Sequence, residues 1–110
     1  METKLKQEDT ETRQGILQIL QVNQEKIRSF GVIKLGLFGS FARNEQTVES
    51  DIDLLVEFQQ DKKTFDNFIH LNFFLEEALK RQVELVTTES LSPYVGPHIM
   101  KEVEYVTFVT

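Results

Sequence analysis

The chain has 110 residues, a net charge of −6, no cysteine and only two histidines, His70 and His98. That length supports one domain with one core. The absence of cysteine excludes disulfide staples and thiolate metal sites. The acidity argues against an extended electrostatic grip on nucleic acid, which needs clustered Lys and Arg. No stretch approaches the roughly 20 apolar residues of a membrane helix. The charged start, Met1 to Asp9, lacks the apolar centre of a signal peptide. A cytoplasmic protein that does not enter a membrane is therefore expected.

Residues 1–9 are polar and are expected to form a flexible tail, leaving 10–110 as a single domain. Asp9 or Thr10 is the expected cap of a first helix, in which Ile16, Leu17, Leu20 and Ile27 form one apolar stripe ending before Gly31. The apolar run Val32–Phe38 predicts a strand. Gly39-Ser40 then begins a turn and a short helix through Phe41, Ala42 and Arg43, followed by a polar loop over 44–50. A second strand is expected over Ile52–Phe58.

Thr64 is placed to cap a helix running through Phe68, Ile69, Leu71, Leu75 and Leu79 toward Arg81. Its phenylalanines, Phe65, Phe68, Phe73 and Phe74, extend beyond one stripe, so they either fill a small core or leave aromatic surface for a partner. Val83–Thr87 predicts a third strand. Two prolines and a glycine between Ser90 and Pro97 require turns. A short helix over Ile99–Val103 and a fourth strand over Tyr105–Val109 complete the chain. The order predicts an α+β fold, α/β-like, with a small mixed sheet covered by helices mainly on one face. The helix at 65–80 is long enough for a parallel crossover between strands two and three.

The chemistry concentrates between Gly39 and Asp53. Side chains alternate along a strand, so Asp51 and Asp53 project to the same side. Two like charges so close repel, and a divalent cation relieves that repulsion. Oxygen ligands without Cys or His favour magnesium or manganese over zinc. Gly39 allows close backbone approach by a triphosphate, and Ser40 adds a hydroxyl donor beside free N–H groups. Arg43 either reaches a phosphate or pairs with Glu45 or Glu49. Ser50 either binds phosphate or caps the turn before Asp51. Glu84, in the third strand, supplies a third carboxylate for a second ion and for deprotonating an attacking hydroxyl.

Gly39-Ser40, ten intervening residues, Asp51-Ile52-Asp53-Leu54-Leu55-Val56, and then Val83-Glu84-Leu85-Val86 about thirty residues later together resemble the minimal nucleotidyltransferases of the polymerase-beta-like superfamily. Gly39-Ser40-Phe41-Ala42-Arg43 is similar to that family's Gly-Ser-x-Ala-Arg. The resemblance implies a polymerase-beta-like nucleotidyltransferase fold and the MNT antitoxin half of a HEPN–MNT toxin–antitoxin pair. Such an antitoxin transfers AMP from ATP to a tyrosine of its HEPN ribonuclease partner. It further implies that Asp51, Asp53 and Glu84 hold two Mg2+ ions, while Gly39 and Ser40 position the triphosphate. Two positions depart from the family pattern: Asn44 stands where glycine is usual, and Glu84 replaces aspartate. The extra methylene of Glu84 displaces its carboxylate, to which catalytic geometry is sensitive. The alternative is a module of the same fold that neutralises its partner by contact, using the aromatic helix around Phe73 and Phe74.

Overall fold

The structure is a computed structural model that describes residues 10–109. Helices α1 (Arg13–Val22) and α2 (Gln24–Ser29) precede strands β1 (Val32–Phe38) and β2 (Ile52–Phe58). Helix α3 (Phe65–Leu79), strand β3 (Val83–Thr87), helix α4 (Gly96–Glu102) and strand β4 (Glu104–Tyr105) follow. The sheet order is β3-β2-β1-β4. β2 runs antiparallel to β1 and parallel to β3, and β4 lies antiparallel on the other edge of β1. The mixed α+β fold and the parallel crossover through α3 are thus as expected.

Most of the core lies on one sheet face. Ile16, Leu20 and Ile27 from α1 and α2, with Leu71, Leu75 and Leu79 from α3, are fully buried against Leu35, Leu37, Ile52 and Leu54. Each such side chain contributes about 1.5–3 kcal/mol relative to exposure, so these rows fix the sheet's register and face. The opposite face carries a smaller cluster, Phe38, Leu55 and Ile99, with Val86, Leu91 and Val103 packed beside it. On α3, Phe68 and Phe74 pack against the main core. Phe65 and Phe73 remain exposed, at 76% and 60%.

Several element ends differ from expectation. The cap of α1 is Thr12, not Thr10: its extended backbone lets Oγ1 accept from the Gly15 N–H at 3.0 Å. Asp9, the other expected cap, and the expected tail at 1–9 lie outside the described residues. The single first helix divides at Asn23, whose side-chain amide donates to the Ile19 carbonyl and competes with the helical ladder. Helix α4 starts at Gly96, earlier than expected, because Pro97 suits a helix's first turn.

The expected short helix after Ser40 is one turn, closed by a Schellman motif. The Glu45 N–H bonds the Ser40 carbonyl at 2.8 Å and the Asn44 N–H bonds the Phe41 carbonyl at 3.2 Å. Asn44 holds the left-handed position at φ 59°, which asparagine tolerates better than most non-glycine residues. Strand β4 has two residues rather than five. Beyond Val106 the backbone is drawn onto the helices: Gln21 donates to the Thr107 carbonyl, Arg28 to the Val109 carbonyl, and the Val109 N–H donates to Gln24.

Candidate active site

Asp53 is the centre around which the site is arranged. It lies opposite Phe38 at the end of β1 and opposite Glu84 in β3. Strand alternation puts its carboxylate on the face away from the main core, since Ile52 and Leu54 are buried in that core. Gly39 turns directly above it at φ 77°, and any Cβ there would collide with the Asp53 carboxylate. Only glycine allows this approach, for conformation and for space alike.

Asp53 is half-buried, whereas Asp51 and Glu84 are exposed on either side. Burial, then the charges of Glu84 and Asp51, raise the Asp53 carboxyl to about 6, against a smaller opposing pull from Arg43. Burial disfavours the charged form, and the neighbouring carboxylates add to that effect. A cavity of about 450 Å³ opens beside it, lined by Phe38, Asp53, Glu84, Val86, Leu91 and Ile99 among others. Its polar rim and apolar wall suit an organic group brought next to the two carboxylates.

Sequence reasoning missed two residues that govern this site. Glu102, the last residue of α4, accepts the Gly39 N–H at 2.7 Å. Its two carboxylate oxygens also receive Arg43 at 3.1 and 3.2 Å. Arg43 further pairs with Glu45 at 3.0 Å, and the hydrogen bonds it donates to Glu45 and Glu102 raise its pKa. Arg81 donates to the carbonyls of Thr10, Val48 and Ser50, and its guanidinium lies over the Phe41 ring. It thereby clamps the loop that delivers Asp51. An acid in the last turn of a helix, where the dipole disfavours it, was the one sequence signal for Glu102.

Ser50 directs its hydroxyl into the loop, accepting the Thr47 N–H at 2.9 Å. Among the described residues, no group of three or more His, Cys, Asp or Glu side chains is drawn together closely enough to hold a metal ion. The donor chemistry nonetheless suits one hard cation. Asp53 and its neighbours are oxygen ligands whose mutual repulsion Arg43 offsets only in part, and magnesium commonly uses one or two carboxylates with substrate phosphates.

A glycine-serine turn set over a strand carboxylate, on a small mixed sheet with a parallel crossover, defines the minimal nucleotidyltransferase class. The chain belongs to the nucleotidyltransferase domain family, whose profile matches residues 16–106. It is 36% identical over 96 residues to the protein adenylyltransferase MntA of Thermococcus cleftensis, covering 86% of this chain and 96% of that one. A Methanocaldococcus jannaschii protein provisionally assigned as a protein adenylyltransferase is 38% identical over 98 residues, 86% of this chain and 98% of the relative. A solved structure provisionally assigned as a minimal nucleotidyltransferase superposes with a TM-score of 0.66 at 30% identity, over 80% of this chain and 93% of that one. The same fold occurs in a complex of MNT antitoxin with tri-AMPylated HEPN toxin from Shewanella oneidensis, with a TM-score of 0.59 and 22% identity. That match covers 84% of this chain and 73% of the other.

Proposed function

We propose that this protein transfers AMP from ATP to a tyrosine hydroxyl of a cognate HEPN ribonuclease and so neutralises it, as an MNT antitoxin. The observation that carries the reading is that Asp53 and Glu84 are paired across β2 and β3 while the Gly39 turn closes over Asp53. Kinship to the MntA adenylyltransferase supports the choice of AMP and of a protein acceptor. Gly39 and Ser40 offer N–H and hydroxyl donors to the triphosphate, with Arg43 as the nearby cation. Asp51 and Asp53 would hold magnesium, with Glu84 completing the set for a second ion. When bound, the metal neutralises charge on the phosphates and on the carboxylates together.

The acceptor oxygen attacks the α-phosphorus in line. A new oxygen–phosphorus bond forms as the bond to pyrophosphate breaks, and the hydroxyl proton passes to Glu84. The cavity beside Glu84 gives an aromatic acceptor a place from which to approach. A second reading, neutralisation by contact alone, draws on the exposed Phe65 and Phe73 of α3.

An Asp51→Ala, Asp53→Ala double variant separates the two. Under the adenylylation reading it fails to label the partner with radioactive ATP and fails to protect cells from it. Full protection without labelling would establish contact as the mechanism.

A further inference from the structure

We propose that Glu102 is an internal competitor for the triphosphate, occupying the phosphate cradle until nucleotide displaces it, and thereby sets nucleotide affinity. This rests on the triphosphate binding at Gly39 and Arg43, as put forward above. The Gly39 N–H has one hydrogen to donate, and Glu102 holds it at 2.7 Å. The same carboxylate takes the Arg43 guanidinium with both oxygens. A carboxylate held by a backbone N–H and a guanidinium has the partners that a phosphate would use. The one Gly39 N–H cannot serve both anions, and Glu102 also engages Nη1 of Arg43.

The placement serves no evident helical purpose. Glu102 ends α4, where a negative charge opposes the helix dipole. The backbone on both sides is fixed: the Val103 N–H bonds the Ile99 carbonyl, and Glu104 and Tyr105 pair with β1. Release therefore requires rotation of the Glu102 side chain and no movement of the sheet. The vacated carboxylate frees the Gly39 N–H and Nη1 of Arg43 for the incoming phosphates while Glu45 keeps Nε, and adding negative charge there drives Glu102 outward by repulsion. A closed state that holds nine molecules in ten weakens apparent affinity about tenfold.

The test measures dissociation constants by calorimetry for two probes, sodium tripolyphosphate and a non-hydrolysable ATP analogue with magnesium. Wild type, Glu102→Ala and Glu102→Gln are compared, with thermal melting to verify folding. Glu102→Ala is expected to bind both probes about tenfold more tightly. Glu102→Gln, which keeps an acceptor for Gly39 but loses the charge on Arg43, should fall between. If the alanine variant fails to fold, tighter binding by the glutamine variant carries the result. Adding Arg43→Ala should shrink the gain, because the competed cation is then missing; a merely structural Glu102 would leave it unchanged. Wild-type binding with equal or weaker binding by the folded Glu102 variants overturns the competitor role alone. Absence of binding in every form overturns it together with the nucleotide site.

Discussion

Asp53 shows how a functional residue can weaken the fold that holds it. Its carboxyl is raised to about 6 from an ordinary value of 3.8, so the folded state favours the protonated form. The contribution of this group to stability is therefore fully present below pH 3.8 and is lost as pH rises through 6. A shift of this size corresponds to about 3 kcal/mol, and partial exposure reduces it to about 1–2 kcal/mol. Asp53→Asn should accordingly be more stable than wild type by about 1–2 kcal/mol at pH 8 in metal-free buffer. The advantage should fade between pH 6 and pH 4; chemical denaturation across that range measures it. An advantage that instead grows toward pH 4 would contradict the assigned cause. Sequence alone put Asp51 beside Asp53, and the charge of Asp51 does act on Asp53, although Asp51 precedes β2 and is not placed by strand alternation. It could not give the approach of Gly39 to Asp53 or the reach of Glu102, because both depend on how distant elements dock. Asn44 is a case between the two. It reads as a departure from a glycine pattern, and its left-handed backbone shows that asparagine meets the same demand.

At the scale of elements, the site depends on a loop with little regular structure of its own. Residues 44–50 connect the Schellman-capped turn to β2, and Arg81, just beyond α3, fastens them through the Val48 and Ser50 carbonyls. Lysine cannot reproduce this fork of donors. Arg81→Ala should lower stability by about 2 kcal/mol, from lost charged hydrogen bonds to partly buried carbonyls, which is a fall in melting temperature of several degrees. AMP transfer should decline as Asp51 loses its anchor, and Arg81→Lys should recover only a minor part of either loss. Calorimetry and a transfer assay read the two effects; an Arg81→Ala protein with unchanged melting would remove the clamp from the account. The strands β1, β2 and β3 were legible because each is a short apolar run bounded by polar or glycine residues. The fourth was overextended because an alternating pattern does not show whether the backbone bonds a neighbouring strand or the side chains of a helix. Side chains of Gln21, Gln24 and Arg28 decide that competition, and no local pattern reveals them.

The whole molecule is a sheet with one thick face and one thin one. Helices α1, α2 and α3 bury the first, and α4 with the flanking Leu91 and Val103 covers the second, beside which Asp53 and Glu84 lie. That asymmetry leaves the carboxylates on the less covered face with a packed core behind them, the combination that the proposed transfer to a protein acceptor needs. Among the described residues no helix is long and apolar enough to cross a membrane. The exposed Phe65 and Phe73 lie on α3, on the opposite side of the sheet from the carboxylates' own cluster. The most direct measurement is the intact mass of the HEPN partner after incubation with this protein, ATP and magnesium. The proposed AMP transfer predicts a gain of one AMP mass or a small whole number of them, located on tyrosine and absent with Asp53→Ala. A partner that is neutralised while its mass stays unchanged would contradict it.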